Sequence, residues 1–303
     1  MTIKVGTASW TDPTLIKSKR FYPPGCSSAE ARLRFYATQF PLVEVDSSYY
    51  AMPNATNSVL WAERTPDDFT FNIKAFRLFT GHQTDRAMFP KDMQGALPQN
   101  GKKNLYYRQV PGDVLQELWR RYLEAVQPLR AAGKLGAVHF QFAPWLVNNT
   151  EGRKHVEHCA DVMDGYIVAV EFRHESWFAN TERRARTLAF ERERQLVNVI
   201  VDEPQGAINS IPAVWEITND ELALLRLHGR NHATWNIQGT TASSDRFNYD
   251  YNDDELDGLA TKIYEISQAV TQTHVVFNNN FEDQGQRNAR TIMSIVGANT
   301  ISS

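Results

Sequence analysis

The 303-residue sequence lacks the features that define several common protein classes. It has two cysteines, Cys26 and Cys159, which lie far apart and outside any paired motif. A disulfide framework is therefore excluded, and a reducing compartment is favoured. No apolar run approaches the roughly 18 residues of a membrane-spanning helix. The N-terminus has no apolar stretch typical of a signal peptide, so we expect a cytoplasmic protein without a membrane partner.

The sequence also has little net charge and no nucleotide-binding loop. Its formal charge of −3 is not the strongly basic balance typical of nucleic-acid-binding proteins, although a local basic groove stays open. Neither a Gly-x-Gly-x-x-Gly nor a Walker-type motif is present. The composition, 42% hydrophobic and 22% charged, is sufficient for a large buried core.

Short apolar runs that end in polar residues recur along the chain, with helical patterns between them. They predict eight strands, at Ile3–Ser9, Leu42–Ser47, Phe69–Ala75, Gly136–Phe142, Tyr166–Phe172, Leu196–Asp202, Leu222–His228 and Thr273–Asn278. Helices are predicted from Ser27 or Ser28 to Gln39 and at Thr56–Arg64, Asp113–Ala132, Glu151–Met163, Thr181–Arg194, Asp253–Val270 and Gln286–Ile295. This alternation predicts an α/β protein, a (β/α)8 TIM-type barrel, as a single domain over residues 1–303.

Three connections depart from the regular repeat. The segment between Asp202 and Leu222 has two prolines and no helical period, so we expect the sixth unit to be degenerate. Long loops are expected after the third and seventh strands, at Phe76–Gly112 and Gly229–Asn252. Both would lie at the C-terminal face of the barrel, where barrel enzymes place their active sites.

Polar residues occupy the C-terminal halves of the predicted strands, on the face that points into the barrel. They are Glu44, Asp46, Asn72, Lys74, His139, Gln141, Glu171, Arg173, Asp202, Arg226, His228, Asn278 and Asn280. Burying each of these charges costs about several kcal/mol unless the charge is paired or hydrated. They could form an ion network that only shapes the barrel, but their position at the active-site end favours a polar pocket.

The pocket residues suggest separate roles. The proposed acid–base residues are Glu44, Asp46, Glu171 and His228. The proposed ligand-binding residues are Trp10, Tyr49, Lys74, Gln141, Arg173, Trp177, Arg226, Asn278 and Asn279. Within that set, Arg173 and Arg226 suit a clamp on phosphate or carboxylate.

No cofactor or metal motif is indicated. His155, His158 and Cys159 have helical spacing on a peripheral helix and are interpreted as part of a solvated helix face. A single divalent ion held by Glu44, Asp46 and Asp202 is conceivable, but no motif supports it.

Several segments carry a family resemblance. They are Gly6–Trp10, Phe21–Pro23, Val43–Tyr50, Pro66–Lys74, Leu135–Gly136, Gln141–Phe142, Glu171–Trp177, Leu225–Gly229 and Val276–Asn279. In order and spacing they resemble the YecE-like family, number seventy-two among the domains of unknown function. The resemblance implies a (β/α)8 barrel but no established reaction. The chain departs from the family pattern at Ala8-Ser9 and Ala143-Pro144, neither of which is a charged strand-end position.

Three functions are compatible with these observations. The first is an enzyme of hydrolase or isomerase type that acts on a small anionic or phosphorylated molecule. The second is a nuclease-like or nucleic-acid-binding barrel, with a basic rim and an aromatic residue for stacking; that set is Lys102, Lys103, Arg108, Arg230 and Arg246, with Trp235 or Tyr107. The third is a non-catalytic ligand sensor. The oligomeric state does not follow from the sequence.

Overall fold

In the computed structural model, eight parallel strands close into a barrel. The structure describes residues 1–99, 101–207, 210–236 and 243–301. The strands are β1 (Thr2–Ala8), β2 (Leu42–Val45), β3 (Thr70–Lys74), β4 (Leu135–Gln141), β5 (Val168–Glu171), β6 (Val197–Asp202), β7 (Leu222–Leu227) and β8 (Gln272–Phe277). Each pairs with its neighbours in sequence, and β8 pairs with β1 to close the sheet. The predicted barrel is confirmed.

Helices cover the outside of the barrel. They are α1 (Pro13–Ser18), α2 (Ala29–Ala37), α3 (Ser47–Tyr50), α4 (Ala55–Glu63), α5 (Gly112–Ala131), α6 (Thr150–Val162), α7 (Thr181–Glu193), α8 (His232–Trp235), α9 (Asp253–Ser267) and α10 (Gln284–Ile301). The longest, α5, buries one face because Val114, Leu118, Tyr122 and Leu129 recur at helical spacing. Side-chain caps begin several helices; Ser28, for example, accepts a hydrogen bond from the Ala31 amide at the start of α2.

The eight predicted strands agree with the barrel strands in number and order, and the seven predicted helices are all present, whereas the short helices α1, α3 and α8 were not predicted. The shared elements differ at their ends. Strand β2 ends at Val45 rather than Ser47, since Asp46 precedes the short helix α3. Helix α9 ends at Ser267 instead of Val270, whereas α10 extends beyond the predicted Gln286–Ile295. Residues 203–207 and 210–221, which follow β6, contain no helix, so over that described stretch the sixth unit is degenerate as expected.

Both long loops carry short elements over the C-terminal face. After β3, a hairpin pairs Thr84–Asp85 with Asn104–Leu105, and 3-10 turns lie around it. After β7, the loop contains α8 and a 3-10 turn at Ser243–Phe247. The part of this predicted loop at 237–242 lies outside the described residues.

No helix within the described ranges is long and apolar enough to span a membrane.

Candidate functional site

The C-terminal ends of the strands surround a polar cavity of about 250 Å³. Eight of the predicted site residues line it: Asp46, Tyr49, Lys74, Gln141, Arg173, Arg226, His228 and Asn278. Four further residues complete the lining: Tyr50, Arg246, Phe247 and Asn280. The parallel strands thus bring side chains from distant parts of the sequence to one end of the barrel.

Arg226 forms the base of the cavity and bridges two buried carboxylates. Its two terminal nitrogens lie 2.8 Å from Glu44 Oε1 and 2.6 Å from Glu171 Oε2. Both carboxylates are fully buried, and burial alone would raise their pKa values. The Arg226 guanidinium, His139 and further neighbouring groups together outweigh burial and hold the pKa of both carboxyl groups below the ordinary value. Glu44 and Glu171 therefore stay ionised.

The His139 ring lies between the same two carboxylates. Its Nδ1 is 3.0 Å from Glu44 Oε2, and its Nε2 is 3.2 Å from Glu171 Oε2. The ring has no exposed surface. Since Arg226 and His139 both lie against the two carboxylates of this buried cluster, Glu44 and Glu171 face these side chains rather than the cavity.

Arg173 has two carboxylate partners. One guanidinium nitrogen lies 3.1 Å from Glu171 Oε1 and 2.7 Å from Glu203 Oε2. The other oxygen of Glu203 accepts a hydrogen bond of 2.7 Å from the Ile211 amide. Burial raises the pKa of Glu203, and the neighbouring Arg173 opposes that shift. The sequence analysis missed Glu203, although it directly follows the predicted strand-end residue Asp202.

Asp46 is the carboxylate that faces the cavity among the lining residues described. Its Oδ1 accepts a hydrogen bond of 2.8 Å from Lys74 Nζ, which also donates to Gln141 Oε1 at 3.0 Å. The Asp46 side chain is 30% exposed, against 7% for Lys74. The Lys74 ammonium lies 4.8 Å from the centre of the Tyr49 ring, a cation–π contact. This ion pair is therefore open to a ligand on its carboxylate side.

His228 is held in one neutral form by Asn278. The Asn278 carbonyl accepts from Arg226 at 3.3 Å, so its amide nitrogen is the group that faces His228 Nδ1, at 2.8 Å. The Nδ1 atom then accepts this hydrogen bond in the neutral ring, while Nε2 lies 3.5 Å from Arg226 Nη1 and 3.8 Å from Glu171 Oε1. Burial, followed by the Arg226 charge, lowers the pKa of His228 well below its ordinary value. His228 is thus a neutral hydrogen-bonding group in the cavity.

Arg246 reaches the cavity from the loop that follows β7. Its guanidinium lies 4.5 Å from the ring centre of Trp235, and the adjacent Phe247 contacts the His228 ring at 5.6 Å. Within the described residues, no carboxylate lies within ion-pair distance of Arg246. Burial and the nearby charge of Arg173 lower the pKa of Arg246. An anion in the cavity would relieve this repulsion.

Three residues expected to bind ligand do not line the cavity. Trp177 is fully buried, stacks on Phe172 with ring centres 3.7 Å apart and donates to a backbone carbonyl. Trp10 is nearly buried and packs edge-on against Trp61 at 5.7 Å. These tryptophans pack around the barrel end.

The third is Asn279, whose neighbour Asn280 lines the cavity instead. The Asn279 amide donates to Tyr249 O at 2.9 Å and to Asn288 Oδ1 at 2.7 Å. Successive residues at a strand end point in opposite directions, so Asn278 and Asn280 share the inner side. Asn279 instead anchors the loop that follows β7.

The proposed divalent-ion ligands do not converge. Glu44 contacts Arg226, Asp46 contacts Lys74, and Asp202 binds Arg230 and the Tyr251 hydroxyl. In the part of the chain that the structure describes, no group of three or more His, Cys, Asp or Glu side chains is placed to hold a metal ion. The arrangement is a set of ion pairs around a cavity of about 250 Å³.

A parallel (β/α)8 barrel with a charged cavity at its C-terminal face is therefore the class of protein that the fold and the site define. The chain belongs to the family described as protein of unknown function DUF72, whose model matches residues 4–302. It is 29% identical over 296 residues to the UPF0759 protein YunF of Bacillus subtilis (strain 168), covering 97% of this chain and 94% of that protein. The resemblance to the YecE-like family is thus confirmed.

Solved structures of the same family share the fold. A DUF72 family protein from Enterococcus faecalis V583 is 26% identical, with a TM-score of 0.78 over 98% of this chain and 96% of that one. Another, from Thermotoga maritima MSB8, is 24% identical, with a TM-score of 0.75 over 98% and 100% of the two chains. The family description states no reaction, so a function must be argued from the cavity itself.

Proposed function

We propose that the cavity binds a small anionic molecule, such as a phosphate ester or a carboxylic acid, and that the protein acts on it by acid–base chemistry. The observation that carries this proposal is the lining of the cavity. Among its described residues, four are cationic, Lys74, Arg173, Arg226 and Arg246, and one, Asp46, is a carboxylate. The remaining carboxylates stand behind the cations, on the side away from the ligand.

This layering reconciles the burial of several cations with a preference for anions. Glu44, Glu171 and Glu203 compensate the buried guanidinium groups of Arg226 and Arg173, which limits the cost of burying those charges. The donors are already fixed in place, so little side-chain entropy is lost on binding. Arg246 adds a guanidinium that has no carboxylate partner in the described structure and can form a bidentate contact with phosphate or carboxylate.

Asp46 is the proposed proton carrier. It is the carboxylate that opens to the cavity, whereas Glu44 and Glu171 are engaged by Arg226 and His139. The Oδ1 atom of Asp46 lies 2.8 Å from Lys74 Nζ, and the carboxylate is placed to accept a proton from the ligand. His228 holds a neutral ring against the same cavity and is suited to hydrogen bonding with the ligand rather than to carrying charge. The sequence predicted acid–base roles for Glu44, Asp46, Glu171 and His228, and this proposal assigns proton transfer to Asp46.

The binding step is tested by thermal stabilisation of the purified protein with sugar phosphates, sugar acids and nucleotides. A ligand at about a hundred times its dissociation constant adds roughly 2.7 kcal/mol of stability. Arg246→Ala should abolish the stabilisation and change the melting temperature of the unliganded protein little, because no described carboxylate lies within ion-pair distance of Arg246 and Glu203 keeps its ion pair with Arg173. Arg246→Lys should retain part of it.

The matched control is Arg120→Ala, which removes an arginine from the outer surface, where it pairs with Glu117 and Glu124. This variant should respond to the ligand as the native protein does. Asp46→Asn should keep binding and lose turnover of the ligand so identified. Equal stabilisation of the native protein and the Arg246→Ala variant would refute the anion site, and full turnover by Asp46→Asn would refute the role of Asp46.

A further inference from the structure

An aromatic cleft of about 580 Å³ lies beside the charged cavity on the C-terminal face. Its walls include the rings of Trp145, Tyr106, Tyr107 and His155. The Trp145 side chain is 51% exposed, whereas Trp177 and Trp235 are fully buried. The His82 ring lies between the cavity and the cleft. Its centre is 5.3 Å from that of Tyr49, which lines the cavity, and 5.5 Å from that of Trp145, which lines the cleft.

The exposed ring of Trp145 is held in place. Its indole nitrogen donates to Gly81 O at 3.0 Å, and its edges contact His82 and Tyr106 at centre distances of 5.5 and 6.3 Å. The loop after β3 and the segment after β4 are thereby joined across the cleft. An aromatic face that is fixed before binding loses little entropy when a ring stacks on it.

The polar atoms of the other cleft rings are already engaged by the protein. The Tyr106 hydroxyl accepts from Gln83 at 2.8 Å, and the Tyr107 hydroxyl accepts from Trp119 at 2.9 Å and contacts His158 at 2.7 Å. His155 Nε2 donates to a backbone carbonyl at 2.8 Å. The ring faces are thus what these residues offer to a ligand. A sugar ring carries hydroxyl groups that need hydrogen-bonding partners around its edge. A planar aromatic ring instead stacks on the faces of other aromatic rings.

The charged groups of the cleft complete the arrangement. Arg108 and Glu151 are both exposed, and no ion pair joins either of them to another described residue. One donor and one acceptor of opposite charge can recognise the polar edge of a heterocyclic ring whose face is stacked on Trp145.

We infer that this cleft is a stacking subsite for a planar heterocycle, and that the ligand of the neighbouring cavity is an anion joined to such a ring, with the chemistry of a mononucleotide. The inference rests on the proposed function for the position of the anionic group, and it adds the class of the ligand. The His82 ring, in contact with both Tyr49 and Trp145, places the cleft next to the cavity.

The test is calorimetric titration of the native protein with four probes: 5′-mononucleotides, the corresponding uncharged nucleosides, ribose 5-phosphate and inorganic phosphate. Mononucleotides should bind about five-fold to a hundred-fold more tightly than ribose 5-phosphate, the factor that stacking of one base on an aromatic side chain confers. Trp145→Ala should remove this difference and leave the affinity for ribose 5-phosphate unchanged. Trp145→Phe should restore most of it.

Trp215→Ala is the matched control, since Trp215 contacts Lys262 on the outside of the barrel, away from the cleft. It should bind every probe as the native protein does. If mononucleotides and ribose 5-phosphate bind equally and Trp145→Ala changes neither, the stacking subsite is refuted and the anion site stands. If Trp145→Ala weakens the binding of nucleosides while Arg246→Ala leaves the affinity for every phosphate-bearing probe unchanged, the proposed function fails and the subsite stands. No binding by any probe overturns both.

Discussion

At the scale of single residues, Arg226 compensates two fully buried negative charges at the site. It joins the carboxylates of Glu44 and Glu171, and all three groups are withdrawn from water. Removal of one member of a buried ion pair costs more than the pair contributes, because the remaining charge is left without a partner. Here a single substitution would leave two carboxylates on either side of His139, and of these Glu171 would keep an arginine partner, Arg173.

We expect Arg226→Met to lower the free energy of unfolding by about 3–5 kcal/mol at pH 7. Urea denaturation followed by circular dichroism measures the loss. Adding Glu44→Gln and Glu171→Gln to the same chain should recover part of the stability, because the unpaired charges are then gone. A loss below about 1 kcal/mol would mean that water or rearrangement compensates the carboxylates.

The same substitution should change the dependence of stability on pH. In the folded protein the pKa values of Glu44 and Glu171 lie below their ordinary value of 4.5. As pH falls through 4.5, the unfolded chain takes up protons at these positions before the folded chain does. Their contribution is therefore present above this pH and decreases in acid. Arg226→Met should show a smaller acid loss, and an unchanged pH slope would contradict the assignment.

At the scale of elements, β1 and β2 approach so closely that one position excludes a side chain. A Cβ atom at Gly6 would lie 1.9 Å from the carbonyl oxygen of Leu42, its register partner in β2. The backbone of Leu42 cannot move away without disturbing the strand that carries Glu44 into the barrel. The geometry of the cavity thus depends on a glycine two strand positions before Ala8.

Gly6→Ala should destabilise the protein and weaken ligand binding together, as seen in thermal unfolding with and without ligand. Gly258→Ala is the matched control, since Gly258 lies exposed within α9 and a Cβ there meets nothing within 4 Å. That change should stabilise the protein by about 0.5–1 kcal/mol through helix propensity. Equal effects of the two substitutions would exclude the close approach as their cause.

The elements also explain which parts of the site were predictable. Strand periodicity placed Glu44, Lys74, Glu171 and Arg226 on the inner face, because alternation along a strand is a local property. The same alternation, followed one residue further, selects Asn280 over Asn279. Arg246 could be predicted only as a basic loop residue, since no period relates a long loop to the cavity beneath it.

At the scale of the whole molecule, the basic residues do not form one surface. Of the five positively charged residues considered for a nucleic-acid rim, Lys103 pairs with Asp85, and Arg230 pairs with Asp202 and Glu255. Arg246 faces the cavity instead of the rim. Three of the five are thus already paired with carboxylates or turned toward the cavity, and the net charge of the chain is −3.

We therefore expect a fluorescein-labelled single strand of about 20 nucleotides to bind weakly at physiological salt, with few counterions released. Fluorescence anisotropy at several salt concentrations measures both the affinity and the slope of log K against log salt. Lys102→Ala combined with Lys103→Ala should leave whatever binding remains nearly unchanged. Tight binding, with a slope that corresponds to about six or more phosphate contacts, would instead identify a nucleic-acid interface. A mononucleotide that binds while the single strand does not would place recognition in the cavity and cleft, and would make the outer charges of the barrel irrelevant to the ligand.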